Sequence, residues 1–562
     1  MKRSVLLIVF ILGSGILSAG EAFPEMRKFW DGERNAAVKP AGDEKTEKLF
    51  QSAWKNGLVA AEGLYRCRKY VDGWIVHADP KTGLIPRGLG KGKWMHGADT
   101  SDIWNGRDAG ADNYAFMVLT CSFTDRAMFD GKMLDILNSE IKNCSRVDRL
   151  MDNYCFSTGK FITEKPVLDE IVFDNAEYVK DGLIPLTEWL GKSPWSDRAV
   201  AIIEDIWKNA TIETLFGKIP TLNFEVNGDL LQSCSRFYWF TGEKKFLDWA
   251  IRLGDYYLLG DQHPTRNMKD LKLRDHGCEV VNGLTELYAA VSHARPEKAE
   301  AYRKPIHDMF DKILELGRNE HGMLYNSFNP QTGEHSKGIC DTWGYNYDGF
   351  YTVYLLDKTE AYREAVRKAM GNLNYYTNYP WEGKSSDGYA DSIESAINLY
   401  NREPIASVAG WIDSEMRIMW AKQQDSGVIE GWHGDGNFAR TTIMYVLLKT
   451  QGIHIEPWRA DVRVGAVKDG DRIVISLAAD QPWTGKIIFD RARHKVNLHL
   501  PLDYPRINQF PEWFTVEDNA CYEVKNFADG KVLEHSGKTM AAGIEVTVPA
   551  GTEKRFMVGL KK

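Results

Sequence analysis

At 562 residues, with 43% hydrophobic and 26% charged side chains, the chain has an ordinary globular composition and is long enough for two domains. A net charge of −8 removes the electrostatic footing of a generic nucleic-acid binder. Aromatic residues reach 12%, with 18 Trp and 24 Tyr, enough to supply both large cores and exposed rings for stacking.

Lys2-Arg3 and the apolar run Val5 to Leu17 read as a secretory signal over residues 1–22, with small residues at Ser18-Ala19-Gly20 and Ala22 for cleavage. The run is short for a membrane span and no comparable stretch follows, so an exported, periplasmic or extracellular protein without membrane attachment is expected. None of the eight cysteines forms a Cys-x-x-Cys pair. They read as small buried hydrophobes, with Cys144 and Cys155 the candidates for one disulfide. The spacing of Cys278, Glu279 and Cys340 matches no zinc pattern, and no metal or organic cofactor is expected.

Residues 23–457 are dominated by helical periodicity, as in Leu49, Ala53, Leu58 and Leu64 or Phe246, Ala250, Leu253 and Tyr257. Seven polar, aromatic-rich clusters recur, each where an amphipathic helix begins. Their markers are Asp112, Asp174, Asp229, Gly277, Tyr347, Asp391 and Asn437, spaced 44 to 70 residues apart. That step fits two helices with connections, so the chain reads as an array of helical hairpins. Closed into a ring, the array puts every cluster at one end, around a mouth of carboxylates, histidine, arginine and aromatic rings. Over residues 458–562 the pattern changes to alternating runs such as Arg472–Leu477 and Gly543–Val548 with Asp-Gly turns, which predicts a β-sandwich accessory domain.

Helical hairpins followed by a β-domain resemble the six-hairpin, (α/α)6-toroid carbohydrate-active enzymes. Glu225-Val226-Asn227-Gly228-Asp229, ending at Thr241-Gly242, is similar to a hairpin opening of unsaturated glucuronyl hydrolases, and Asp112-Asn113-Tyr114 looks like a second such position. His276 to Tyr288 is similar to a segment of β-L-arabinofuranosidases, although that group's full metal-ligand set is missing. The resemblance implies an (α/α)6 toroid and glycosidase chemistry, with Asp112 and Asp229 as acid/base partners.

Glycoside cleavage needs a proton donor to the leaving oxygen and a second carboxylate as base or nucleophile. His276, Glu279, Asp348 and Asp391 join Asp112 and Asp229 as candidate catalytic groups. An acidic residue in a first helical turn also complements the helix dipole, but capping alone does not need Trp, His and Arg beside it. Arg107, Arg274 and Arg440 offer forks for a sugar carboxylate, or else pair internally with nearby aspartates. Trp104, Trp343, Tyr345, Tyr347 and Trp432 are candidate sugar platforms, with Asn227 and His433 as further substrate contacts. The expected activity is hydrolysis of oligosaccharides from a uronic-acid-containing polysaccharide, acting from a chain end. The alternatives are a polysaccharide lyase using Tyr345, Tyr347 or His276 as base, a sugar epimerase, and a glycan-binding protein without catalysis.

Overall fold

The computed structural model describes residues 42–90 and 92–561, so the expected signal over residues 1–22 lies outside the described residues. The helices are α1 (Glu44–Ile75), α2 (Ala115–Thr124), α3 (Leu134–Cys144), α4 (Leu168–Glu177), α5 (Ile184–Leu190), α6 (Pro194–Lys208), α7 (Phe224–Thr241), α8 (Lys244–Gly254), α9 (Cys278–Ala294), α10 (Pro296–Leu316), α11 (Trp343–Asp357), α12 (Glu360–Gly371), α13 (Ser386–Arg402), α14 (Ala406–Trp420) and α15 (Gly436–Thr450). A π-helical stretch, Gly106–Tyr114, runs directly into α2, and another, Tyr178–Leu183, joins α4 to α5.

Burial separates these helices into two layers. In α9 every residue from Cys278 to Val291 is buried, as a helix must be when it is enclosed by neighbours on all sides. In α8 only Phe246, Leu247, Ala250, Leu253 and Gly254 are buried, a single stripe at helical spacing. Contacts run from the Gly106–Thr124 segment to the Leu168–Leu190 segment, then through α7, α9, α11, α13 and α15, and from α15 back to α2. The Phe129–Met133 stretch that leads into α3, and helices α6, α8, α10, α12, α14 and α1, pack outside successive members of this ring. Among the described residues the annulus therefore has seven hairpins, one for each cluster, where a six-hairpin toroid was expected.

Glycines let the inner helices touch. A Cβ on Gly436 would stand 1.9 Å from the Asp112 carbonyl oxygen, and one on Gly228 would stand 2.3 Å from the Glu279 backbone. Helix starts are fixed by side-chain caps: Asn223 accepts from the Val226 amide at 3.2 Å and Ser385 from the Gly388 amide at 2.8 Å. Helix α7 stops at Gly242, whose φ of 73° is the left-handed C-terminal conformation that favours glycine.

The C-terminal part holds β1 (His454–Glu456), β2 (Val462–Asp469), β3 (Arg472–Ala479), β4 (Trp483–Ile488), β5 (Cys521–Asn526), β6 (Val532–Ser536), β7 (Ile544–Val548) and β8 (Thr552–Leu560). They form antiparallel sheets of order β6-β5-β8-β3-β2 and β7-β4-β1. Side chains from both, including Ile455, Val464, Ile475, Ile487, Val548 and Val558, share one apolar core. The second sheet starts at His454, ahead of the boundary expected at 458. Strand β2 lies against α1 at Gly57 and Gly465, where either added Cβ would meet the other's backbone.

The loop between β4 and β5 positions the site. Its residues 503–510 thread into the annulus at the C-terminal ends of the inner helices. Arg506 pairs with Glu188 at 2.9 Å, Asp503 with Arg402 at 2.6 Å, and Thr352 donates to the Pro505 carbonyl at 3.3 Å. The amide of Asn508 reaches Glu394 at 2.7 Å. This strap closes one end of the ring and leaves the other as a dead-end pocket.

Candidate active site

The pocket is a cavity of about 340 Å³ at the N-terminal ends of the inner helices, with Ile507 and Asn508 of the strap as its floor. A second hollow of about 700 Å³, lined by Asn223, Met268, Lys272 and Arg274, adjoins it at His276 and Glu225. Both π-helical stretches supply pocket residues: Arg107, Asp108 and Asp112 from the first, Lys180 and Asp181 from the second. A π-turn adds a residue to the helical repeat and turns side chains out of the α register, which fits its frequent place at functional sites.

Of the residues expected from sequence, Asp112, His276, Glu279, Asp391, Arg107, Tyr345, Trp432, His433 and Arg440 line this cavity. The others lie elsewhere. Asp229 and Asp348 are fully buried behind the wall, and all four of their carboxyl oxygens lack hydrogen-bond partners. Burial pushes both carboxyls well above the usual range, reinforced by the charge of Glu279 at Asp229 and of Glu394 at Asp348. Trp104 packs edge-on to Tyr114, Trp343 donates to Ser392 at 2.9 Å, and Tyr347 bonds the Gly322 carbonyl, so these three rings are core. Asn227 is buried against Tyr257 and the Thr221 carbonyl. Arg274 sits in the adjoining hollow, 3.8 Å from Glu382. The two disulfide candidates are free thiols, and Cys155 donates to Asp102.

Sequence reading passed over Trp94, Phe173, Glu177, Lys180, Asp181, Thr342, Glu382, Asp387, Asn437, Ile507 and Asn508, which also line the cavity. Glu177 and Asp387 stood inside the recognised clusters, and Asp387 lies one helical turn from Asp391, which was chosen. Asn508 carried no local signal, because it arrives from the β-rich part of the chain.

The charges are arranged in five groups. Asp108 takes a two-pronged pair from Arg87 at 2.9 and 3.2 Å. Lys180 bridges Asp181 at 2.8 Å and Glu279 at 2.6 Å. Arg440 holds Asp391 at 2.7 Å and Glu394 at 2.8 Å, with the Tyr345 hydroxyl within hydrogen-bonding distance of both carboxylates. Arg107 is paired with the buried Asp174 and lies 4.0 Å over the Phe173 ring. The guanidinium groups at the mouth thus already carry carboxylate partners within the protein.

Asp387, Asp112 and His433 form the remaining group. Asp387 accepts from the Asn437 amide at 2.6 Å. Burial and the neighbouring Asp112 charge push its carboxyl up to about 7. Burial also raises Asp112, and the nearby His433 ring opposes that rise. For His433, burial favours the neutral ring, but Asp112, Asp387 and Asp108 outweigh it and lift the imidazole to about 9. Its Nδ1 lies 3.8 Å from Asp112 Oδ2. At neutral pH the cavity therefore presents an imidazolium beside Asp112, and in Asp387 a carboxyl poised between its two protonation states. Trp432, 56% exposed and packed 3.6 Å from the His433 ring, gives this corner an apolar face.

No family model matches the chain, and no curated protein matches it. Among solved structures the chain is similar to the unsaturated glucuronyl hydrolase of Bacillus sp. GL1, at 13% identity over 49% of this chain and 85% of that one, with a TM-score of 0.36. It is also similar to a glycoside hydrolase family 76 mannosidase of Bacteroides thetaiotaomicron, at 11% identity over 69% and 99% with a TM-score of 0.38. A cellobiose 2-epimerase of Bacillus thermoamylovorans shows 12% identity over 56% and 87% with a TM-score of 0.36. At these values the likeness is a partial overlay of helical frames, and the chemistry has to be argued from the cavity.

Proposed function

We propose that the chain is a glycoside hydrolase that acts on the end of an oligosaccharide, with Asp387 as general acid and Asp112 as its partner carboxylate. The observation that carries this reading is the Asp387–Asp112–His433 group, in which a carboxyl pushed up to about 7 and a second carboxyl beside an imidazole face one cavity. Asp387 near neutrality can give a proton to a leaving oxygen. Asp112, where the His433 imidazolium opposes the rise that burial causes, is the group placed to accept a proton from water or to attack the sugar itself. A pocket floored by the strap suits a chain end better than a continuous chain. The lyase alternative loses support because burial, with Asp391 and Glu394 alongside, pushes the Tyr345 phenol well above its usual range despite Arg440. That phenol is a poor base. The internally paired arginines favour an uncharged sugar over a uronate at the reacting position. The export reading rests on Lys2-Arg3 and the apolar run after them; among the described residues no helix is long and apolar enough to cross a membrane.

The test is incubation with neutral and uronate-terminated oligosaccharides, read by new reducing ends and by ultraviolet absorbance. Reducing ends from neutral substrates without new absorbance are expected, and absorbing unsaturated ends would establish the lyase instead. The kcat/KM profile should be bell-shaped. Activity falls as pH rises through about 7, where Asp387 loses the proton it must donate. On the acid side it falls as Asp112 becomes protonated and can no longer act as base.

A further inference from the structure

His276 stands at the seam of the cavity and the adjoining hollow and lines both. Its Nδ1 is 2.6 Å from Glu225 Oε1 and 3.8 Å from Glu177 Oε1. Both carboxylate oxygens are buried, yet neither receives an aligned hydrogen bond. Glu177 is only 5% exposed, so water does not offset the missing partner. Three separate elements deliver the donors: Glu177 ends α4, Glu225 lies in the first turn of α7, and His276 sits in the short turn ahead of α9. One ligand atom from each residue falls within 4.8 Å of the other two.

The surroundings sharpen the need for a cation. Asp181, Asp229 and Glu279 crowd the same wall. The Lys180 ammonium there is already shared between Asp181 and Glu279. Two carboxylates held together under cover repel each other unless a positive charge lies between them, which either a protonated His276 or a bound cation supplies. We propose that Glu177, Glu225 and His276 form a three-ligand site for a divalent cation of the zinc or manganese class, with its open coordination position toward the cavity. Imidazole with two carboxylates suits these ions, whereas calcium asks for six to eight oxygen ligands. A sugar hydroxyl entering from the cavity would complete the shell, so the ion would orient substrate beside the Asp387–Asp112 pair. Two other groupings of this kind are engaged otherwise. In Asp108, Asp112 and His433, Arg87 and Asn105 already hold Asp108. In His494, Asp503 and Glu512, Arg402 and Arg506 hold Asp503.

The experiment treats the purified protein with chelator, then dialyses it against Zn²⁺ or Mn²⁺ and measures bound metal by mass spectrometry. The parent should retain one equivalent of at least one of these ions. Glu225→Gln and His276→Ala should each weaken its affinity by at least about tenfold. Far-ultraviolet circular dichroism and Tm show that these variants fold; both residues are partly exposed, so folding should survive. Absence of a stoichiometric ion, or equal binding by parent and both folded variants, overturns the proposal. Because no substrate is present, either result leaves the glycosidase reading to its own test.

Discussion

Replacing Asp387 by asparagine is expected to lower kcat/KM by about 10²–10⁴, the usual contribution of a positioned general acid. That loss corresponds to about 3–5 kcal/mol of transition-state stabilisation. The substitution isolates the proton. Asparagine keeps the shape and an oxygen able to accept the 2.6 Å bond from Asn437, so neither α13 nor its neighbour α15 has reason to move. Only the transferable hydrogen is removed, and the alkaline limb of the pH profile should vanish with it. A substrate whose leaving group needs no protonation should recover much of the rate. Asp229→Asn serves as the contrast: that side chain lies behind the wall, both its oxygens unpartnered, and a neutral amide there should leave turnover near the parent's. Activity of Asp387→Asn within about tenfold of the parent, with the alkaline limb intact, would remove Asp387 from the chemistry.

The contrast between these two aspartates also marks the limit of the sequence reading. Seven clusters were legible, because crowded polar side chains stand out against an otherwise apolar repeat; six head inner segments of the ring, while the one marked by Asp174 closes α4 where the second π-helical stretch begins. Which cluster members reach the cavity was not legible. Asp229, Asp348 and Asp391 are each the sixth residue of an inner helix, α7, α11 and α13. Only Asp391 lines the cavity, where Arg440 of the neighbouring α15 holds it. The other two meet no cation at hydrogen-bonding distance and are covered by side chains of adjacent helices. Register along one helix was therefore readable, while the partner across the helix pair, which decides exposure, was a tertiary fact. Ring size was hidden for a related reason: hairpin spacing fixes the repeat but not the closure. The strap was invisible altogether, since a loop in a β-rich region gives no sign that it will enter a helical annulus.

That strap yields the second large effect. Arg506→Met should destabilise the fold by about 3–5 kcal/mol, seen as a lower urea midpoint. Arg506 is fully buried, with bonds of 2.9 and 3.2 Å to Glu188, 3.2 Å to Asp503 and 2.6 Å to the Tyr504 carbonyl. Methionine fills much of the space but leaves the Glu188 carboxylate, itself fully buried, without its cation. The cost is then mostly that of an orphaned charge, not of lost packing, and the two causes can be told apart. If the orphaned charge dominates, adding Glu188→Leu to Arg506→Met should restore most of the midpoint, since a buried pair exchanged for apolar side chains is often neutral. If packing dominated, the second change would deepen the loss. The next two residues, Ile507 and Asn508, floor the cavity, and Asn508 donates to Asp181 at 2.8 Å. Even in conditions where the single variant remains folded, its KM should therefore rise, because loosening the strap loosens the floor of the proposed substrate pocket. An unchanged midpoint together with an unchanged KM would mean that the strap neither braces the annulus nor shapes its pocket.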